Sequence, residues 1–336
     1  MLICVFLRQD FMDNFSELQK IEFLSRMITA NAGFLTLREK QIFFNFLLKN
    51  ENGEKFENED SFLERFLSLK IDDISFLVKR AFPRAKWNSY ESLKKVQLSQ
   101  KIISVQKIKS TCIFDSDFPA MLREMKDPPF MIFYRGNLEI LKRKCVSVVG
   151  TRRATQSALR AASDFSKFAC DDNFCVVSGL AFGIDAASHK GALLSENSAT
   201  VAVLPSGIDT ITPFSHTRLA AKILEKGGLI ISEYLPGTPA IQFRYVQRNR
   251  IVAALSPATI VVQAPSGSGA MITAGLALDY NREIFFHDEC FSAQAEAINK
   301  AAIREKKKSF DTPQSFVNDG AKIISNWNEF KKMMYG

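Results

Sequence analysis

Glycine-rich segments follow several short apolar runs in the second half of the chain. Residues 150–155, 178–185 and 264–269 each contain glycine where a helical pattern is about to begin. Glycine lets backbone N–H groups approach a ligand closely, and a helix start adds unpaired donors and partial positive charge. Because this combination binds phosphate, these segments predict an anion site.

Basic residues lie in and beside the same segments. Arg152 and Arg153 belong to the first segment, Lys190 lies one turn into the next helical pattern, and Arg248 and Arg250 precede a later apolar run. Arginine binds phosphate through two parallel hydrogen bonds. Several arginines at one rim therefore favour a phosphodiester chain over a single small ligand.

The alternation of apolar runs with helical periodicity predicts the fold that positions these segments. Strands are predicted at residues 145–149, 175–178, 200–204, 229–232, 259–263 and 283–286. Helices are predicted at residues 156–169, 184–194, 217–226, 248–255 and 270–280. This order indicates an α/β fold with a doubly wound, mostly parallel Rossmann-like sheet, which binds ligands at the carboxyl ends of its strands. The first loop lacks the G-x-G-x-x-G pattern of dinucleotide dehydrogenases.

The N-terminal part of the chain has a different pattern. Apolar residues recur at three- and four-residue spacing, which is typical of amphipathic helices, at residues 21–30, 37–48 and 62–69. We therefore predict a small all-helical domain at residues 1–110 and the α/β domain at 111–325. Residues 326–336 are expected to be a short tail.

Composition and charge narrow the functional classes. The 336 residues include 44 Lys and Arg against 36 Asp and Glu, a net charge of +8 that favours polyanionic partners. No apolar run approaches the ~20 residues of a membrane span. Six cysteines without a C-x-x-C pair, and three histidines without zinc-site spacing, predict reduced thiols in the cytoplasm and neither a metal nor a cofactor. Met1 and Met12 both remain possible translation starts.

Several spaced segments resemble, in order, the DNA-processing protein A family, also called DprA/Smf. They are V-V-G-T-R-R-A-T at 148–155, S-G-L-A-F-G-I-D-A-A-S-H at 178–189, G-I-D at 207–209, L-I-I-S-E-Y at 229–234, R-N-R-I at 248–251, and S-G-A-M-I-T-A at 268–274. The resemblance extends from about residue 115 to 325.

This resemblance implies a function as well as a fold. Members of the family bind single-stranded DNA, protect incoming DNA and load the RecA recombinase in natural transformation and recombination. They form homodimers through the Rossmann domain, and many carry a sterile-alpha-motif (SAM)-like helical domain that residues 1–110 would match. We expect no C-terminal winged-helix domain here and a binding protein rather than an enzyme.

The resemblance also suggests roles for individual residues. Glycines would hold phosphates through backbone N–H groups, hydroxyl side chains would add hydrogen bonds, and basic residues would supply charge. His189 would meet phosphate or support Asp185, Asn249 would touch a base or hold its loop, and Phe182 would stack on a base or join the core. The candidate contacts are Gly150, Thr151, Arg152, Arg153, Ser178, Gly179, His189, Lys190, Arg248, Asn249, Arg250, Gly267, Ser268, Gly269 and Thr273.

Two alternatives remain open. The lonely-guy phosphoribohydrolases share a similar sheet and carry P-G-G-x-G-T-x-x-E, whose glutamate helps to cleave a glycosidic bond. The nearest segment here, residues 265–273, has Thr273 at the glutamate position, and a hydroxyl cannot act as a carboxylate. A nucleotide-sensing module is the other alternative, and it predicts tight binding of a mononucleotide.

Overall fold

The computed structural model of the protein describes residues 15–306 and 311–336, so the choice between Met1 and Met12 lies outside the described residues. The helices are α1 (Glu17–Asn31), α2 (Leu37–Leu47), α3 (Glu59–Ser68), α4 (Ile71–Val78), α5 (Ser89–Gln106), α6 (Ala120–Arg123), α7 (Gln156–Asp171), α8 (Ile184–Ala192), α9 (Thr217–Glu225), α10 (Gln242–Ala254), α11 (Gly269–Asp279), α12 (Ala293–Lys306), α13 (Pro313–Asn318) and α14 (Trp327–Tyr335). The strands are β1 (Lys109–Cys112), β2 (Met131–Gly136), β3 (Cys145–Val149), β4 (Cys175–Ser178), β5 (Thr200–Val203), β6 (Leu229–Ser232), β7 (Ala258–Val261), β8 (Glu283–His287) and β9 (Lys322–Ile324).

The strands form one sheet in the order β1-β2-β6-β5-β4-β3-β7-β8-β9. β3 to β9 pair in parallel, whereas β2 pairs antiparallel with both β1 and β6. The chain progresses from β3 towards β6, then crosses back to place β7 on the other side of β3. The predicted doubly wound, mostly parallel fold is confirmed, and its switch point lies between β3 and β7.

Alternate residues of each strand enter two different apolar cores. Val146 and Val148 of β3 pack with α7, α8 and α14. Cys145 and Val149 belong to the core that includes α10 and α11. Because a parallel sheet buries both of its faces, its strands are apolar at nearly every position. This is the pattern that predicted the strands from sequence.

The N-terminal helices pack directly onto the sheet. Arg26 of α1 forms an ion pair of 2.6 Å with Asp115, and the Ser99 hydroxyl of α5 donates to the Pro236 carbonyl oxygen at 2.7 Å. Their buried side chains are continuous with the core on one face of the sheet. The domain boundary at residue 110 stays a prediction.

Helix α5, the longest of the N-terminal helices, was missed by the periodicity analysis. Half of its buried positions are serines, which conceal the amphipathic pattern: Ser89, Ser92, Leu93, Val96, Ser99 and Ile103. The buried serines are satisfied by hydrogen bonds, such as that from Ser89 to the Leu67 carbonyl oxygen at 2.9 Å. Their role depends on partners distant in sequence, so local periodicity carries no signal for it.

The prediction that residues 326–336 form a short tail was wrong. Residues 327–335 form α14, in which Trp327 and Phe330 are buried. Both rings pack against Phe165 of α7, with centroid distances of 5.3 and 5.7 Å. Burial of two large aromatic side chains contributes several kcal/mol, so this helix is part of the core.

Three other properties follow from the described residues. Among them, no helix is long and apolar enough to span a membrane, and no cluster of three or more His, Cys, Asp or Glu is arranged to hold a metal ion. The five described cysteines are unpaired and buried. Burial raises the pKa of the Cys112 and Cys170 thiols to about 11, so both remain protonated and unreactive at neutral pH.

Candidate functional site

Three segments meet at the carboxyl edge of the sheet beside the switch point. The Thr151 N–H donates to the Gln263 carbonyl oxygen at 2.7 Å, which joins the loops after β3 and β7. The Asn249 side-chain amide donates to the Gly269 carbonyl oxygen at 3.2 Å, which joins α10 to the start of α11. Two roles were expected for Asn249, contact with a base and holding its loop, and this hydrogen bond fits the second.

Gln263 fixes the loop that carries the two adjacent arginines. Its side-chain oxygen accepts from the Thr155 N–H at 2.9 Å, and its amide nitrogen donates to Thr155 Oγ at 3.2 Å. Together with the bond to Thr151, these contacts hold both ends of residues 151–155. Gln263 was predicted as the last residue of the strand at 259–263 and was therefore given no role in the loop.

Arg152 lies over the half-buried ring of Tyr245 at this edge. The guanidinium carbon of Arg152 lies 5.0 Å from the centroid of the Tyr245 ring. Arg152 and Arg153 are exposed, and within the described parts of the chain neither forms an ion pair. Phe243 on the same helix is 58% exposed. Cations interleaved with exposed aromatic rings can bind phosphates and stack on bases.

Gly183 allows the loop after β4 to pass close to the arginine loop. It has φ +76°, and a Cβ at this position would lie 2.2 Å from the Thr151 carbonyl oxygen. The Ile184 N–H donates to that same oxygen at 3.3 Å. The position of Arg152 therefore depends on the absence of a side chain at residue 183.

We expect Gly183→Ala to destabilise the fold by about 2 kcal/mol or more, because it combines a glycine-only backbone conformation with a steric clash. It should also weaken ligand binding by displacing Arg152. Thermal unfolding and binding titrations measure the two effects. Gly275→Ala is the matched control, since it lies inside α11 with nothing within 4 Å of the added Cβ. Equal stability of the two variants would contradict this account.

The loop after β4 already contains its own anion. Asp185 is buried, and its carboxylate accepts from the N–H groups of Gly179 and Ala181 at 3.2 and 3.3 Å. The expectation that the Gly179 N–H holds phosphate is therefore not met, because that donor is occupied. Ser178 is also buried, and its hydroxyl donates to the Val148 carbonyl oxygen at 2.7 Å. It has no surface from which to contact DNA.

Arg248 and Arg250 are structural rather than exposed. Arg248 is 4% exposed and donates to the Val203 carbonyl oxygen at 2.5 Å. A Cβ on Gly179 would lie 1.8 Å from its guanidinium, so the glycine makes room for this arginine. Arg250 is paired with Glu233 and donates to the Asp127 carbonyl oxygen at 2.7 Å. Direct phosphate contacts expected for both arginines do not fit these positions, because Arg248 is buried and the Arg250 guanidinium is bonded to Asp127 and Glu233 inside the protein.

His189 is fully buried, so its expected contact with phosphate is also not met. Its Nδ1 lies 2.7 Å from Thr200 Oγ, whose own hydroxyl donates to the Val176 carbonyl oxygen. His189 must therefore donate through Nδ1. It does not hydrogen-bond Asp185 within the described structure. Desolvation lowers the pKa of His189 to about 3, so the ring stays neutral at physiological pH.

This burial predicts a loss of stability in mild acid. In the unfolded chain His189 takes up a proton near its ordinary pKa of 6.5, whereas in the folded protein it does so only near 3. Stability is therefore lost as the pH falls below about 6.5, by about 2 kcal/mol at pH 5 from this residue. Urea unfolding of wild type and His189→Gln between pH 7 and 5 measures it. The variant should lose less stability over this range, and equal losses would contradict the assignment.

The remaining candidates differ in exposure. Thr273 is buried, and its hydroxyl donates to the Gly269 carbonyl oxygen at 3.0 Å, so it is not free for a ligand. Gly150 is partly buried against Ile184. The residues around the start of α11, Gly267, Ser268 and Gly269, lie at the surface or partly buried. Their roles stay predictions.

Lys190 lies in the last turn of α8. It is exposed and lines a groove of about 450 Å³ together with Arg160 and Phe182. Phe182 is 49% exposed, and its ring packs edge-on against His216 at 4.9 Å. Phe182 therefore lies at the surface. Of the two roles considered for it, membership of the core does not fit this position.

Tyr245 and Phe243 were given no role in the sequence-based predictions, although Phe243 begins the segment that resembles the family's F-x-x-R-N-R-I. Both belong to the segment F-R-Y at residues 243–245, three residues before the R-N-R motif. The alternation of aromatic and basic residues there is the signal that could have identified them. The R-N-R motif instead led to the prediction that Arg248 and Arg250 contact phosphate, and both are buried.

Comparisons with known proteins agree with the fold and its loops. The family model described as DNA recombination-mediator protein A matches residues 109–329. Protein Smf of Borreliella burgdorferi is 34% identical over 243 residues, which cover 72% of this chain and 76% of that protein. DNA processing protein DprA of Streptococcus pneumoniae is 34% identical over 217 residues, 65% of this chain and 75% of that protein.

Solved structures extend the likeness beyond the matched region. DNA processing protein A from Streptococcus pneumoniae has a TM-score of 0.65 at 25% identity, covering 96% of this chain and 98% of that one. The protein of the same name from Helicobacter pylori has a TM-score of 0.54 at 26% identity, covering 68% and 95%. Since the family model matches more than half of the residues and the described sheet carries the family's motifs on its loops, the chain belongs to the DNA recombination-mediator protein A (DprA/Smf) family.

Proposed function

We propose that this protein binds single-stranded DNA at the surface formed by Arg152, Arg153, Phe243 and Tyr245, protects incoming DNA, and loads the RecA recombinase onto it. The observation that carries the proposal is the exposed Arg152 guanidinium lying 5.0 Å from the Tyr245 ring. This distance supports the proposal, because a cation suited to phosphate and a ring suited to stacking then lie within the reach of one nucleotide. The protein would act in the cytoplasm as a homodimer formed through the sheet domain.

The chemistry of this surface favours single strands over duplexes. Stacking on an aromatic side chain contributes about 1–3 kcal/mol per base, and only unpaired bases expose their faces. The arginines add sequence-independent attraction to phosphates. Such a site is expected to show little sequence preference, because every base has a face that can stack.

Relatives support the proposal. The Helicobacter pylori protein is described by its single-stranded-DNA binding mode. The family is described as a recombination mediator, which supports a transfer of the bound strand to a recombinase. A role in natural transformation and recombination is the extension of that description to this chain.

A binding role is favoured over catalysis by the state of Thr273. This residue occupies the position where the lonely-guy enzymes carry their glutamate, and here its hydroxyl is buried and bonded to Gly269. Such a side chain can neither protonate a leaving group nor activate water as a carboxylate does. We therefore infer that the site holds a strand without cleaving it.

Fluorescence anisotropy of a labelled oligonucleotide at several salt concentrations tests DNA binding. We expect a duplex competitor to displace the labelled single strand poorly. Binding should also weaken with salt, and the logarithm of the binding constant should fall against the logarithm of the salt concentration with a slope of about −0.7 for each phosphate contacted. Absence of binding at low salt would overturn the proposal. In that case titration with mononucleotides, with assays for their hydrolysis, would separate the sensor and enzyme alternatives.

Loading of the recombinase needs a separate assay. The rate of RecA filament formation on DNA coated with single-strand-binding protein can be followed through RecA ATP hydrolysis. Wild-type protein should shorten the lag, and Arg152→Ala should restore it. An unchanged lag with wild type would contradict the loading role while leaving DNA binding intact.

A further inference from the structure

A second groove lies between α8 and α9. It has a volume of about 700 Å³, and its apolar lining is formed by Leu193, Leu194 and Leu219. Leu194 is 67% exposed, whereas Leu219 is buried and Leu193 is half-buried. A concave surface of this volume with apolar side chains in its lining is suited to binding a ligand or a partner segment.

The charge around this groove is strongly positive. Lys190, Arg218, Lys222 and Lys226 contribute four cations, and Glu225 is the single carboxylate of the lining. Across residues 15–306 and 311–336, none of these four cations forms an ion pair. Their charges are therefore available to an incoming anionic group.

The apolar part of the groove differs from the Arg152–Tyr245 surface. Its apolar lining consists of leucines, and its one ring, His216, already packs against Phe182. Leucine side chains accept aliphatic and aromatic side chains of a peptide but give a base no flat ring on which to stack. Cations around an aliphatic groove complement an acidic segment that carries apolar residues.

We propose that this groove docks an acidic, amphipathic segment of a partner protein, with carboxylates on the lysines and arginine and apolar side chains against the leucines. The proposal does not depend on DNA binding: of its four cations only Lys190 is also a candidate phosphate contact, whereas Arg218, Lys222 and Lys226 lie outside the proposed strand contacts. It gives the protein a second attachment surface that can be occupied while the loop edge holds DNA.

A fluorescein-labelled peptide of alternating Asp or Glu with Leu or Phe is the probe, and its binding is measured by anisotropy with the full-length protein. Lys222→Glu combined with Lys226→Glu should weaken peptide binding about tenfold or more, because two attractive contacts become repulsive. Leu194→Ala should weaken it by a few-fold. Lys94→Glu combined with Lys101→Glu, on exposed positions of α5, is the matched control and should have no effect.

Circular dichroism verifies folding, and the milder Lys222→Gln with Lys226→Gln keeps the test valid if charge reversal disturbs α9. Undiminished peptide binding by the groove variants, or equal loss in the α5 control, would overturn the proposal. It would also be overturned if the groove variants lost oligonucleotide binding but kept peptide binding, since the groove would then belong to the DNA path. Loss of self-association without loss of peptide binding would assign the groove to a second copy of the chain.

Discussion

Replacing Arg152 with alanine should weaken binding of single-stranded DNA about tenfold at moderate salt and reduce the salt slope by about 0.7. The guanidinium is exposed and stacks on Tyr245, so its loss removes one phosphate contact without opening the core. Anisotropy titrations over a series of salt concentrations give both quantities. Arg84→Ala is the matched control, because Arg84 is exposed on the N-terminal helical region, remote in sequence from the loop edge.

Tyr245→Ala separates stacking from charge at the same place. We expect a loss of about 1–3 kcal/mol in binding free energy with an unchanged salt slope, because the substitution removes a ring but no charge. Tyr245→Phe should retain most of the affinity. If Arg152→Ala left the slope unchanged, or Tyr245→Ala altered it as much as Arg152→Ala, the assignment of the two roles would be wrong.

Arg250→Ala should destabilise the folded protein by about 3–5 kcal/mol, the cost of leaving a buried charge without its partner. Arg250 and Glu233 each have only 11% of their side chain exposed, and Arg250 also joins α10 to Asp127. Burial raises the pKa of Glu233 even with Arg250 and Lys40 nearby. Urea-induced unfolding measures the loss.

The pH dependence distinguishes an unpaired carboxylate from lost packing. Without Arg250 the pKa of Glu233 rises further, so protonation relieves the buried charge as the pH falls, and the gap between variant and wild type should narrow towards pH 5. Arg282→Ala is the control. Its side chain is similarly buried, but its partner Glu124 is 61% exposed at 3.3 Å, so the expected loss is below about 1 kcal/mol. A small, pH-independent effect of Arg250→Ala would contradict the structural role.

The sheet could be predicted closely from local patterns. A parallel strand buried on both faces must be apolar throughout, and the six predicted strands all occur within one or two residues of their expected ends. The helices between them were predicted from helical periodicity, although α10 begins at Gln242, six residues before its predicted start. Helix α5 was missed because buried serines replace apolar residues, and α14 because its aromatic residues pack on α7 more than 150 positions earlier.

The sequence predicted where the candidate site lies but not which side chains form it. The loops at the carboxyl edge do meet, as parallel topology requires. The motifs do not encode which side chains face outward. The Asp185 carboxylate accepts from backbone N–H groups of its own loop, and Gly179 makes room for Arg248 beneath the surface. Both contacts join residues whose relative positions are fixed only by packing.

The amino-acid sequence by itself determined the six central strands and the helices between them, the family, and the edge of the sheet that carries the loops, because these follow from periodicity and from motifs a few residues long. The tertiary structure decided that Arg152 lies exposed on Tyr245 while Arg248 and Arg250 are buried in the protein. The physical reason is that exposure is a property of the surrounding elements: identical guanidinium groups bind a ligand where the chain leaves them facing water, and hold the fold together where it surrounds them with carbonyls and carboxylates.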